Sequence, residues 1–223
     1  LAAACPVYAK MHSWGEYVFD WAWADAHERH GMAYYPKLLV AVPFTPVPGS
    51  RLLATDALAR RRLVAALLAL ARSGLDNRAF SSMHVLFGDE ADQAACRDAN
   101  LLMRDGVQFH WHNRHPHDAR VFTTFDDFLG ALSQEKRKKI RQERQKVARA
   151  GVVHRVASGP AITSTDWAFF MRCYAQTYRE HGHSAYLNQA FFDQLAAQQP
   201  GHWVMFIAER NGNPIASSLI AIN

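Results

Sequence analysis

Residues 38–44 read LLVAVPF, an apolar run that is interrupted by Pro43 near its end. The turn-forming stretch TPVPGS follows at 45–50. An apolar run of this length between chain breakers predicts a buried strand. Strand-like and helix-like stretches alternate on both sides of it. We therefore predict a layered α/β protein of the α+β kind, in which this strand lies in the core.

The stretches around that strand divide into three helices and four strands. A helix is predicted to begin at Thr55, a residue type that caps helices, and to end near Gly74. The other predicted helices cover 21–30 and 89–105, and the other predicted strands cover 2–10, 16–20, 81–87 and 107–113.

The second half of the chain has a different order of elements. A boundary is expected at 115–124, followed by a helix that Thr124 and Asp127 begin together, as in a capping box. Asn211-Gly212 between two apolar runs predicts a closing hairpin. The remaining predicted elements are helices at 134–150, 164–181 and 188–198 and a strand at 152–158.

Bulk composition narrows the class of protein. The 223 residues are 49% apolar and 20% charged, which is typical of a globular chain. No apolar run approaches the roughly 20 residues that span a bilayer, and three widely separated cysteines favour a reducing compartment. We expect a soluble, cytoplasmic protein without stable membrane insertion. The first residue is not Met and a predicted strand reaches Asn223, so we also expect a truncated chain.

Five phrases of the sequence resemble one bacterial family. They are HSWGEYVFDWAWADA (12–26), YYPKLLVAVPFTPVPGSRLL (34–53), SSMHVLF (81–87), RDGVQFHWHN (104–113) and FLGALSQEKRKKIRQERQKVARAG (128–151). In this order they are similar to the FemAB-like predicted N-acyltransferases of the GNAT superfamily, also called peptidoglycan biosynthesis/recognition proteins.

The resemblance implies tandem GNAT-like subdomains that share a cleft. The first would cover 1–120, with part of its N-terminus missing. The second would cover 121–223, with a basic helical pair, and would be incomplete. The resemblance also implies transfer of an acyl or aminoacyl group to an amine, with acyl-CoA or aminoacyl-tRNA as donor. A phosphate-bearing small molecule or a tRNA would then be the partner.

Positive charge is concentrated in one predicted helix. Residues 136–149 contain eight Lys or Arg and one Glu, a net of +7, whereas the rest of the chain has a net of −2. Ile140 and Val147 lie on one side and predict a narrow buried stripe, beside which the cations would clamp phosphate groups. The candidates are Lys136, Arg137, Arg141 and Arg144.

The phrase at 12–20 contains the candidate catalytic groups. Amine acylation needs a base for the amine and a donor for the oxyanion of the tetrahedral intermediate. Glu16 is the preferred base and Tyr17 the preferred donor, on opposite faces of the predicted strand, and His12 lies in the same phrase. The alternative is that Glu16 and Tyr17 only hydrogen-bond a loop.

Other polar residues are candidate substrate ligands. Lys37 and Arg51 flank the apolar strand and its loop, either as anion anchors or as ordinary surface cations. Arg104 and His110 lie on or near the strand predicted at 107–113. The histidines at 110, 112, 115 and 117 lack the neighbouring ligands of a closed zinc site, so we predict no metal.

A second class of function is open at this point. The basic helix at 136–149 is also what a non-enzymatic module would use to bind a nucleic acid or an anionic surface. That reading predicts an exposed basic face without acidic or tyrosine groups beside it. The absence of aromatic residues among the cations weighs against single-strand binding.

Overall fold

A computed structural model describes residues 1–74 and 79–223. The chain divides into two compact units, Leu1–Phe109 and His110–Asn223, whereas the sequence placed the division after residue 120. Both units mix helices with small sheets, which confirms the α+β class. The assignment of each unit as GNAT-like stays a prediction.

The described residues of the first unit form two small sheets and three helices. Its strands are β1 (Ala3–Ala4), β2 (Tyr8–Lys10), β3 (Lys37–Val40), β4 (Leu53–Ala54) and β5 (Met83–Val85). Its helices are α1 (Trp21–Arg29), α2 (Ala57–Ser73) and α3 (Glu90–Asp98). Strand β3 lies between antiparallel β2 and parallel β5, while β1 pairs with β4.

Strand β3, which forms part of the apolar run at 38–44, is the centre of this unit. All four residues of β3 are buried, and Val40 packs with α2 and α3 through Val64, Leu67 and Cys96. The strand ends at Val40 and not at Phe44, and Phe44 itself has a left-handed backbone (φ +55°) outside the β region. The buried strand is therefore confirmed and its predicted end was wrong.

Helix boundaries differ from the prediction where a carboxylate provides the cap. Asp56, and not Thr55, caps α2 by accepting a hydrogen bond from the Ala59 N–H at 2.8 Å. Helix α3 follows the same pattern from Asp89 and ends at Asp98, earlier than predicted. Asn100 then takes a positive φ of 56°, which stops the helix.

The strands predicted at 2–10 and 107–113 were wrong in different ways. The first is split into β1 and β2, which pair with different strands. The second does not form, since Val107 is 83% and Phe109 94% exposed. Alternating side chains specify a strand only where one face is buried.

The second unit confirms most of its predicted elements. It contains α4 (Phe125–Gly130), α5 (Gln134–Arg149), β6 (Val152–Ser158), α6 (Ser164–Glu180), α7 (Gln189–Gln198), β7 (Trp203–Arg210) and β8 (Asn213–Ala221). The three strands form an antiparallel sheet in chain order. Asn211 (φ +52°) and Gly212 (φ +75°) make the predicted hairpin turn.

The core of this unit lies between the sheet and α6 and α7. Met205 and Ile207 from β7 are fully buried against Trp167, Phe170 and Phe192. Helix α5 contributes no buried residue, and Val147 is 41% exposed. The predicted buried stripe of Ile140 and Val147 was therefore wrong. No helix in the described parts of the chain is long and apolar enough to cross a membrane.

One arginine connects three elements of the second unit. Arg155 on β6 contacts Asp166 on α6 at 2.6 Å and Glu209 on β7 at 2.9 Å. Asp166 also completes a capping box with Thr163 at the start of α6. Asp166 therefore joins the cap of the helix to the sheet on which the helix packs.

We predict that Asp166→Ala lowers the free energy of unfolding by about 2 kcal/mol, since it removes a helix cap and leaves Arg155 with one carboxylate. Urea denaturation followed by tryptophan fluorescence measures this. The matched control is Asp193→Ala, because Asp193 is exposed and accepts a hydrogen bond only from Gln189 one turn away. A loss for Asp166→Ala as small as the control's would show that the cap contributes nothing.

Candidate functional site

The segment at 16–20, predicted as a strand, is a folded loop. In a strand, residues four apart are separated by about 13 Å, yet Glu16 and Asp20 both contact the ammonium of Lys37. The chain turns back between them because Tyr17 (φ +58°) and Phe19 (φ +51°) adopt left-handed backbone conformations. Such conformations cost about 1–3 kcal/mol each in non-glycine residues and persist where surrounding contacts enforce them.

Lys37 supplies those contacts. Its ammonium is fully buried at the start of β3. It donates to Ser13 Oγ at 2.7 Å, Glu16 Oε2 at 2.8 Å and Asp20 Oδ2 at 2.6 Å. An ammonium has three protons, so these three acceptors use all of them. Lys37 consequently has no proton left for a phosphate, and its predicted role as an anion anchor is replaced by that of an internal clamp.

Asp20 is the carboxylate of this cluster whose pKa is lowered. Burial alone would raise its pKa, but hydrogen bonds from Lys37, Tyr34 and Ser13 outweigh burial and lower the pKa to about 2. The phenol of Tyr34 donates to Asp20 at 2.6 Å, and burial together with this carboxylate raises the pKa of Tyr34. Asp20 is the N-cap residue of α1, yet its side chain makes no capping bond because it is turned towards Lys37.

Glu16 is the carboxylate that can change its protonation. Burial raises its pKa, and the hydrogen bond from Lys37 only partly opposes this effect. Its Oε2 atom is held by Lys37, while its buried Oε1 atom has no hydrogen-bond partner among the residues described. Two carboxylates and one ammonium leave an excess negative charge, so a proton is most easily accepted at Glu16.

A small cavity lies next to Glu16. Its volume is about 60 Å³, and Lys10, Glu16 and Thr45 are its polar lining residues. The aromatic lining residues are Tyr8, Trp14, Phe44 and Phe87. Gly15 is required beside it, because a Cβ atom there would lie 2.4 Å from the Phe44 ring and its φ is +78°.

Arg51 is not the anion anchor that the sequence suggested. Its side chain is buried and donates to the carbonyl of Leu86 at 3.0 Å and to that of Val47. Its backbone N–H donates to the buried carboxylate of Asp92. The guanidinium therefore stabilises the loop between β3 and β4, because it supplies the hydrogen-bond donors that buried carbonyl groups need.

The other predicted ligands do not join this cluster. His12 accepts a hydrogen bond from the Trp14 N–H through Nδ1 at 3.3 Å, and burial lowers its pKa. Arg104 places its guanidinium 5.7 Å from the centre of the Trp23 ring. His110 is exposed at the start of the second unit. No group of three or more potential metal ligands occurs in the ranges described.

The basic helix α5 presents its cations to solvent. Arg141 reaches Asp126 at 3.3 Å, Arg144 lies 4.4 Å from the Phe125 ring centre, and Arg137 donates to the Leu132 carbonyl. Lys136 is exposed. One face of the helix lines an open groove of about 720 Å³, formed by Gln134, Arg137, Lys138, Arg141, Gln142 and Gln145.

Sequence reasoning identified Glu16 and Lys37 but not their common partners. Ser13, Asp20 and Tyr34 complete the cluster, and each lies within a phrase that carries the family resemblance. The available signal was the density of polar residues around an apolar strand. Only the turned loop shows that the Lys37 ammonium binds Ser13 and Asp20 and that Tyr34 joins the cluster through Asp20.

We predict that Lys37→Met lowers the free energy of unfolding by about 3–5 kcal/mol at pH 7, since it leaves two buried carboxylates without their cation. The loss should shrink in acid, where the carboxylates are neutral. Urea denaturation measures both values. Lys139→Met is the control because Lys139 is exposed, and it should change stability by less than about 0.5 kcal/mol. A loss below 1 kcal/mol for Lys37→Met would contradict the clamp.

The depressed pKa of Asp20 predicts a pH dependence. A carboxylate whose folded-state pKa is about 2, against 3.8 for the ordinary group, stabilises the fold above pH 3.8. That contribution, about 2 kcal/mol, is lost as the pH falls towards 2. The stability difference between wild type and Asp20→Asn should therefore shrink over this window, and a constant difference from pH 6 to pH 2 would refute the assignment. Asp25→Asn on exposed α1 is the control.

Comparison with known proteins agrees with the resemblance seen in the sequence. The model of the FemAB-like family, described as peptidoglycan biosynthesis/recognition, matches residues 1–223. None of the curated proteins matches the chain significantly. Since the family match covers every residue, including the loop and the strand that form the Lys37 cluster, the chain belongs to the FemAB-like family of peptidoglycan biosynthesis/recognition proteins.

Proposed function

We propose that the protein is an N-acyltransferase that moves an acyl or aminoacyl group to an amine on a substrate related to cell-wall precursors. Membership of the FemAB-like family supports a transferase role in peptidoglycan biosynthesis. The observation that carries the proposal is the state of Glu16. One of its oxygens is clamped by Lys37, the other has no partner in the described chain, and the residue lines a cavity.

Glu16 has the properties of a general base. An aliphatic amine is mostly protonated at neutral pH and must lose a proton to become a nucleophile. Burial raises the pKa of Glu16, which brings its basicity closer to neutral pH, where a general base works best. Lys37 acts as a positioning residue, because its bond to Oε2 restricts the orientation of the carboxylate.

The reaction that we propose balances without a metal or a redox partner. The amine nitrogen forms a bond to the carbonyl carbon of the donor while Glu16 takes the proton from that nitrogen. The tetrahedral intermediate then breaks its bond to the thioester sulfur or ester oxygen of the donor, and the leaving group takes up the proton from Glu16, which restores the carboxylate. The oxyanion needs a hydrogen-bond donor, for which we propose Tyr17. Tyr17 follows Glu16 in the chain and is 39% exposed.

The donor that we propose is acyl-CoA or an aminoacyl-tRNA, both of which carry phosphate groups. The cations of α5 are suited to such groups: Lys136, Arg141 and Arg144 are exposed and Arg137 is half-buried. Arg104, His12 and His110 stay proposed substrate ligands. Lys37 and Arg51 are no longer among them, since protein groups already hold their charged ends.

A second candidate function rests on α5 alone. The helix has no buried residue and presents cations along its whole length, as a module that binds a nucleic acid or an anionic surface would. However, Asp126 and Glu143 lie among these cations, which reduces the net field. Such a module would bind with steep salt dependence and would be indifferent to changes at Glu16.

We predict that Glu16→Gln lowers the rate of acyl transfer by about 10²–10⁴-fold, because it removes the base and keeps the size of the side chain. The assay mixes the protein with acyl-CoA or aminoacyl-tRNA and primary amines, and detects the amide by mass spectrometry. Glu28→Gln is the matched control on exposed α1. Equal rates for wild type and a folded Glu16→Gln protein, or no amide from either donor, would disprove this function.

A further inference from the structure

The cavity beside Glu16 is lined by two side chains of opposite charge. Lys10 comes from the end of β2 and Glu16 from the following loop. Among the ion pairs within 4 Å in residues 1–74 and 79–223, none connects Lys10 with Glu16. Two opposite charges on one cavity wall, without a contact between them, are suited to a ligand that carries both charges itself.

Each of the two groups has bonding capacity for such a ligand. The ammonium of Lys10 donates one hydrogen bond, to the Trp14 carbonyl at 3.1 Å, and an ammonium has three protons. Glu16 is only 4% exposed, and its buried Oε1 atom accepts no hydrogen bond from the residues described. Leaving a buried carboxylate oxygen unpaired costs about 1–3 kcal/mol or more, which a donor from a ligand would recover.

The two groups also influence each other electrostatically. Burial lowers the pKa of Lys10, while the negative charge of Glu16 raises it. In turn, the positive charge of Lys10 opposes the effect of burial on Glu16. Their charges act on each other and both groups line the same small cavity, so one small molecule in it would meet both.

The size of the cavity limits what that molecule can be. A water molecule takes about 30 Å³ of liquid volume, so a cavity of about 60 Å³ holds roughly two waters and admits only molecules as small as glycine or alanine. The remaining walls are apolar, with Leu39, Ala41, Val42 and Leu86 beside the aromatic rings. They accept a hydrogen atom or a methyl group and exclude a large or charged side chain.

We propose that this cavity binds a small free α-amino acid, with the ammonium group on Glu16 and the carboxylate on Lys10. The proposal rests on the proposed function in one respect: Glu16 would take the proton of the bound amino group, so the amino acid would be the acyl acceptor. Binding itself does not depend on acyl transfer and can be measured alone.

Calorimetric titration of the full chain tests the site. Glycine and alanine should bind, phenylalanine should not, and methylamine or acetate should bind at least tenfold more weakly than glycine because each lacks one charge. Lys10→Met and Glu16→Gln should each weaken glycine binding at least tenfold, with folding checked by circular dichroism. Lys139→Met in the second unit, the matched control, should leave binding unchanged.

Three results would overturn the proposal. They are no binding of glycine to the wild type, methylamine binding as tightly as glycine, and glycine binding that is unchanged in folded Lys10→Met. The outcome also separates this site from the proposed reaction. Glycine binding without any N-acylglycine would refute the amino acid as acyl acceptor, glycine binding without an amide on any amine would refute the transferase, and amide formation on other amines without glycine binding would refute only the amino-acid site.

Discussion

The buried ammonium of Lys37 is the interaction on which the first unit depends. Lys37 lies at the start of the central strand β3, and its ammonium donates hydrogen bonds to Ser13, Glu16 and Asp20 of a loop that would otherwise extend. An isolated buried charge is very costly, so the lysine and the carboxylates require one another. The left-handed conformations of Tyr17 and Phe19 follow from this requirement, since only a turned loop brings Glu16 and Asp20 to one atom.

Two carboxylates that share the Lys37 ammonium differ in the direction of their pKa shift. Asp20 receives the additional hydrogen bond from Tyr34 and stays ionised, with a pKa of about 2. Glu16 receives no such bond, and burial raises its pKa. A carboxylate with a lowered pKa and one with a raised pKa thus lie four residues apart. The clamp also holds Glu16 at the wall of the cavity that it shares with Lys10, which is where we place the chemistry.

The second unit depends on a more ordinary core of aromatic and aliphatic side chains between a sheet and two helices. Its unusual feature is α5, whose strong positive charge is local and exposed. Charge at that density keeps a helix out of an apolar core, because each buried cation would need a partner. This is why Ile140 and Val147, apolar at suitable spacing, do not form the stripe that the pattern indicated.

The sequence by itself determined the buried strand around Val40, the helices at α1, α2, α6 and α7, and the Asn-Gly hairpin, because these depend on local periodicity, caps and turn residues. It also determined the family, through phrases spread over the whole chain. Only the tertiary structure decided that Lys37 is a clamp, that 16–20 is a loop and that 107–113 is not a strand. Those outcomes depend on which groups are buried together, and residues far apart in the chain, such as Glu16 and Lys37, decide that.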